Sequence, residues 1–133
     1  ATGALGGGRV LLVEDNPVNM MIAPAMLEQW GAVVSQATDG RLALQAVDNA
    51  AAQGRLFDVV LMGVQMPHMS GHQAARALRQ RYDAKTLPIV ALTAAALVSE
   101  REEALASGMN DFLTKPIDAQ RLLGALARYV RRA

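Results

Sequence analysis

The sequence predicts an α/β domain of about five βα units, with a parallel sheet covered by helices on both faces. Three observations carry this reading. Short, almost uninterrupted apolar runs such as Val10 to Val13 and Val59 to Val64 recur along the chain, the pattern of strands buried on both faces. Stretches with helical spacing, roughly 10 to 15 residues long, alternate with those runs, as parallel βαβ units require. The chain has 133 residues, 52% of them hydrophobic, which suits a single domain with a self-sufficient core.

The elements follow in order. Val10-Leu-Leu-Val13 is the first strand. Asn16-Pro17 supplies a helix cap and a proline for the first turn, and the helix extends to about Trp30, where Gly31 stops it. Pro24 lies in its interior and is expected to remove one hydrogen bond and kink it. Ala32 to Ala37 is the second strand, and Asp39-Gly40 turns into a helix from about Arg41 to Ala52, ended by Gly54. Phe57 to Met62 is the third strand. After a loop holding Pro67 and Gly71, His72 to Tyr82 has helical spacing, with Ala75, Leu78 and Tyr82 on one stripe. Pro88 to Leu92 is strand four, Ala94 to Ser107 helix four closed by Gly108, and Met109 to Leu113 strand five. Asp118 then caps a last helix reaching about Arg131.

Residues 1–8 are small and glycine-rich and read as a linker or an appended remnant, leaving residues 9–133 as the domain. Gly3, Gly6, Gly7 and Gly8 precede the first strand, whereas phosphate-cradling glycines follow a strand and open a helix. The segment also lacks the basic and apolar regions of a signal peptide. With 13 Lys and Arg against 12 Asp and Glu, the balance gives no sign of nucleic-acid or membrane-surface binding. No cysteine is present, which excludes disulfides, thiolate metal sites and cysteine nucleophiles. The apolar runs fall far short of the ~20 residues that span a bilayer.

In open parallel sheets, ligands bind beyond the carboxyl ends of the strands. Glu14 and Asp15 follow strand one, Gly63 strand three, Thr93 strand four, and Lys115-Pro116 strand five. Two acids, a hydroxyl and an ammonium at one edge form a plausible Mg²⁺ and phosphoryl site, with hard oxygen ligands for the metal and the lysine and hydroxyl for phosphoryl oxygens. Taken alone, the acid pair is also explained as helix capping.

Four blocks, Val-Leu-Leu-Val-Glu14-Asp15-Asn-Pro, Asp58-Val-Val-Leu-Met-Gly63-Val-Gln-Met-Pro67-His-Met-Ser-Gly71, Ala-Leu-Thr93-Ala and Lys115-Pro116-Ile, resemble the receiver (response-regulator) domains of two-component phosphorelays. The similarity runs from Arg9 to about Val130, and its wording is most similar to receivers attached to hybrid sensor histidine kinases. The resemblance implies a three-layer flavodoxin-like (βα)5 fold with strand order 2-1-3-4-5. It implies that Glu14 and Asp15 position Mg²⁺ and that the backbone carbonyl of Gln65 joins the metal shell. Thr93 matches the hydroxyl that moves toward the phosphoryl group, Phe112 the aromatic switch, and Lys115 the phosphate-pairing lysine. Pro116 is a cis candidate. The implied partner is a histidine kinase or histidine phosphotransfer domain, with no nucleic acid and no membrane contact. The implied location is cytoplasmic, including the cytoplasmic part of a membrane-bound sensor kinase. A receiver alone is a phosphoacceptor rather than an enzyme in the usual sense.

The departure is Gly63, where the family carries its phosphoacceptor aspartate. Phosphoryl transfer from phosphohistidine needs a carboxylate oxygen, and glycine has none. Phosphorylation at the usual position is expected to be lost and Mg²⁺ affinity to fall. Asp58 lies at the other end of the strand, about 15 Å away at ~3.3 Å per residue, and Asp15 could substitute only by leaving its metal role. Gly63 marks a natural degenerate receiver, a variant of a phosphorylatable parent, or a sequence error. The alternative function is a pseudo-receiver, a phosphate-independent protein-interaction module. A Mg²⁺-dependent phosphohydrolase would need a nucleophilic aspartate that strand three does not offer.

The first helix is apolar nearly all round. Val18, Met21 and Ile22 are the expected docking residues, since the family uses this helix to meet its histidine-bearing partner and methionines suit adaptable contacts. The same methionines are equally explained as core. His68 and His72 are spaced for zinc on one helix, but a loop lies between them and no third ligand is evident. The arginines 128, 131 and 132 complement the last helix's dipole.

Overall fold

The computed structural model describes residues 5–64, 66, 69–93 and 98–130. The elements alternate without exception among these: β1 (Arg9–Val13), α1 (Pro17–Gln29), β2 (Val33–Ala37), α2 (Gly40–Ala52), β3 (Val59–Gly63), α3 (Gly71–Arg79), β4 (Ile89–Thr93), α4 (Val98–Ala106), β5 (Asp111–Thr114) and α5 (Ala119–Ala127). The strands form one sheet in the order β2-β1-β3-β4-β5, and every neighbouring pair is parallel. This is the three-layer flavodoxin-like arrangement.

Apolar side chains on alternate strand positions build two cores. One face packs Leu11, Val13, Val60, Met62, Ile89 and Ala91 against Val47 of α2, Leu78 of α3 and Ala104 of α4. The other packs Val10, Leu12, Leu61 and Leu92 against Leu27 of α1 and Leu122 of α5. The helix starts are fixed by side-chain caps. Asn16 accepts from Val18 N and Asn19 N, Asp39 from Leu42 N, and Asp118 from Gln120 N and Arg121 N. Ser70 and Gln73 form a reciprocal capping box at α3. The Leu42 N–H, with Arg41, holds the Asp39 carboxyl below its ordinary range.

Several boundaries differ from those the periodicity predicts. β3 begins at Val59, because Asp58 turns its carboxylate to accept the Arg9 N–H at 2.9 Å, and it runs one residue further, so Gly63 is the last strand residue. α3 stops at Arg79, after which Arg81 and Tyr82 bond back to Leu78 O. α5 ends at Ala127, and Tyr129 and Val130 likewise turn back onto Leu126 O. The expected start of helix four at Ala94 lies outside the described residues. α1 runs unbroken through Pro24, which is buried. Among the described residues, no helix is long and apolar enough to cross a membrane.

The fold also takes in part of the segment read as a linker. Leu5 is fully buried beside Trp30, Leu126 and Val130. Its N–H donates to Trp30 O at 2.8 Å, Gly7 N to Gly31 O at 3.1 Å, and Val33 N to Gly8 O at 2.7 Å. Leu5→Ala is therefore expected to lower unfolding free energy by about 2 to 4 kcal/mol. Urea titration checks this; an unchanged midpoint would mean that residues 5–8 rest on the domain without contributing to it.

Candidate functional site

The carboxyl ends of β1, β3, β4 and β5 bring Glu14, Gly63, Thr93 and Lys115 to one edge. Glu14 follows directly on β1, its N–H bonded to Ala37 O at 3.0 Å, and it is almost fully buried. Its Oε1 accepts from Asn16 N at 3.1 Å and from Lys115 Nζ at 3.0 Å. Oε2 lies 2.9 Å from the same ammonium, out of hydrogen-bond alignment, and has no hydrogen bond. A buried carboxylate demands such a counter-charge. Asp15, one residue on, is exposed.

Lys115 is held by its backbone as well. Its N–H donates to Thr93 O at 2.8 Å, and the Lys115–Pro116 peptide is cis. Thr93, the last residue of β4, is buried and lies opposite Thr114 in the β4–β5 register. Phe112 stands opposite Ala91 and packs on the same sheet face as that residue. The Arg101 guanidinium lies 5.4 Å from the Phe112 ring centroid, a cation–π contact between α4 and β5.

Gly63 ends β3 in this ring of polar groups. Its φ is outside the left-handed region, so the backbone does not require glycine. A Cβ there would lie 3.0 Å from Val13 O, 3.3 Å from Glu14 Oε2 and 3.7 Å from Met66 Cγ. A side chain at 63 would thus fit after a shift of a few tenths of an ångström, and would point toward the Glu14 carboxylate.

Gly71, unlike Gly63, is a glycine that the geometry requires, and residue order alone did not single it out. It opens α3 hard against the end of β3. A Cβ on it would run into the Gly63 carbonyl oxygen and stand 3.0 Å from Val64 Cα, while its N–H donates to Val64 O at 2.8 Å. The close approach seats the start of α3 against the end of β3. Asn16 was legible only as a cap; its N–H on Glu14 gives it a second task.

The remaining expectations divide. Val18, Met21 and Ile22 are exposed on α1, Met21 at 74%, whereas Met20 and Met26 pack against the core. Gln65 and His68 lie outside the described residues. His72 is buried, with Nδ1 3.4 Å from Ser107 Oγ, just past the end of α4, so it ties α3 to the end of α4. Asp58 is committed to Arg9 at the opposite edge. Mg²⁺ needs an octahedral oxygen set with one or two free carboxylates. Here Gly63 offers no side-chain oxygen, Glu14 is occupied by Lys115, and no group of three acids or histidines among the described residues could hold a metal. The exposed Asp15 is the one free carboxylate left among the described side chains at this edge, so they make a poor set for a resident Mg²⁺.

The model of the response regulator receiver domain matches residues 10–127. The chain belongs to the receiver family. Receivers are the domains of phosphorelay systems, and this one resembles those of hybrid sensor kinases. It is 44% identical over 124 residues to the sensor protein GacS of Pseudomonas syringae pv. syringae, covering 91% of this chain and 13% of that protein. This receiver thus spans a small part of the curated kinase it matches. Among solved structures, the receiver of sensor histidine kinase PA1611 from Pseudomonas aeruginosa PAO1, with magnesium in its active-site cleft, superposes with a TM-score of 0.79 at 41% identity, covering 94% of this chain and 98% of that one. The receiver of Saccharomyces cerevisiae Ssk1, crystallised with the histidine phosphotransfer protein Ypd1, gives a TM-score of 0.80 at 30% identity, covering 94% and 90%.

Proposed function

We propose that this chain is a receiver that docks a histidine kinase or histidine phosphotransfer domain but accepts no phosphoryl group at position 63. The observation that carries the reading is Gly63 itself. It ends the strand between β1 and β4, its Cβ direction faces the Glu14 carboxylate, and it brings no oxygen to attack phosphorus. Around it, Thr93 and Lys115 are the groups suited to a phosphoryl oxygen, and Phe112 is the neighbour that would follow Thr93. The ordinary φ of Gly63 favours a variant of a phosphorylatable receiver over a glycine fixed by backbone need. With one potential carboxylate ligand missing, Mg²⁺ binds more weakly than in a receiver that has it.

Docking falls to the exposed apolar residues of α1, Val18, Met21 and Ile22. Val18 lies in the first turn, its N–H on the Asn16 cap, and the unbranched Met21 adapts to a partner helix at small cost. The crystallised pairing of Ssk1 with Ypd1 supports a partner of the same kind here.

The test treats this chain and Gly63→Asp with a small-molecule phosphodonor and Mg²⁺, and reads intact mass. The aspartate variant is expected to gain one phosphoryl group and the unaltered chain none. Phosphorylation of the unaltered chain would overturn the reading. A variant that folds and stays unmodified would instead favour the pseudo-receiver, a module that binds its partner regardless of phosphate.

A further inference from the structure

We propose that Lys115 is the resident counter-cation of this pocket, so that the domain keeps its buried acid neutralised with no divalent ion bound. The inference rests on the reading of Gly63 as a receiver position that lacks its carboxylate. Glu14 is 1% exposed and its carboxylate is flanked by Lys115 Nζ at 3.0 and 2.9 Å. A charge so placed must be paired or it destabilises the fold strongly. Among the described residues the other donor at the group is the Asn16 N–H on Oε1, which brings no full charge. One carboxylate therefore meets one ammonium.

Position 63 decides that this balance closes. A Cβ there would stand 3.3 Å from Glu14 Oε2, so an acid at 63 would set a second negative charge beside the first. Both would compete for Lys115, and a doubly charged ion would become the better partner. Glycine removes the competitor. Asp15 does not restore it, because it is exposed and its charge is screened by water. A divalent ion bound by Glu14 would have to displace a buried ammonium, and among the described residues only the exposed Asp15 would be gained in return.

The test uses Lys115→Met, which keeps an apolar stem and removes the charge. In metal-free buffer its melting temperature is expected to fall, and millimolar Mg²⁺ is expected to restore several degrees of it. The unaltered chain is expected to shift by less than about 1 °C under the same addition, as for a ligand that does not bind the folded state measurably. Glu14→Gln combined with Lys115→Met removes both charges, and its melting is expected to lose the Mg²⁺ dependence. A second measurement needs no variant: millimolar Mn²⁺ is expected to leave the amide NMR signals of Glu14, Asp15 and Gly63 in the unaltered chain unbroadened. Selective broadening of those signals, or a Mg²⁺ shift in the unaltered chain equal to that of Lys115→Met, would overturn the proposal. Should Lys115→Met not fold, the Mn²⁺ result decides alone. Failure of the functional reading appears separately, as a phosphoryl mass on the unaltered chain.

Discussion

Gly71→Ala is expected to cost the domain about 3 kcal/mol or more, at or beyond the upper end of ordinary overpacking. Overpacked side chains usually escape by changing rotamer, but the atom in the way here is the carbonyl oxygen of Gly63, with Val64 Cα behind it at 3.0 Å. Neither can rotate aside. Relief would require α3 to back away from β3, which breaks the Gly71 N–H bond to Val64 O and strips the capping box at Ser70 and Gln73 of its anchor. Urea unfolding checks the magnitude, and hydrogen exchange at Val64 and Gly71 would show the loop opening first. A loss under about 1 kcal/mol would mean that the helix can slide without consequence.

The second large effect is expected at the opposite edge of the sheet. Arg79, at the end of α3, donates from Nε to Gly108 O at 2.7 Å, from Nη1 to Tyr82 O, Asp83 O and Leu87 O at 3.3, 3.2 and 2.8 Å, and from Nη2 to Asn110 Oδ1 at 2.8 Å. Burial pushes this guanidinium below the ordinary arginine value, with the Asp83 charge opposing. Gly108 has φ +101 and a Cβ on it would lie 2.6 Å from Arg79 Cγ, so the turn before β5 is shaped around the arginine. Arg79→Ala leaves several carbonyls without partners and is expected to cost about 3 to 4 kcal/mol, each lost charged bond carrying a share. Arg79→Lys is expected to recover less than half, since an ammonium lacks the planar fork. Equilibrium unfolding of both variants checks this, and near-equal stability of alanine and lysine would show that packing rather than the fork matters.

These two residues mark where the sequence stops being legible. The strands announced themselves because burial on both faces leaves no polar position to confuse the pattern, as in Val10 to Val13. Glu14, Thr93 and Lys115 were legible as a group for a related reason, since each follows an apolar run and parallel strands end on one edge. Gly71 was not, because its importance comes from how closely a helix returns to its strand, which spacing does not encode. Arg79 looks like an ordinary solvated arginine in an amphipathic helix; all its partners but the Asn110 side chain are backbone carbonyls, which have no letter in the sequence. Leu5 was hidden by the glycines around it, which read as linker although its own backbone bond and two of its neighbours' stitch the segment to the turn after α1 and to β2. The pairing of Lys115 with Glu14 needed coordinates, because residues 101 apart leave no trace of contact in the order of the chain.

Leu5 also determines what light can report from this molecule. The chain has a single tryptophan, Trp30 at the end of α1, 8% exposed and bonded through its carbonyl to the Leu5 N–H. It stands at the edge of the sheet away from Glu14, Gly63 and Lys115. Its emission will therefore follow the seating of residues 5–8 and the melting of the helix end, and will be nearly blind to cations or phosphodonors in the pocket. An optical assay of the pocket needs a second fluorophore, placed on the loop between β3 and α3.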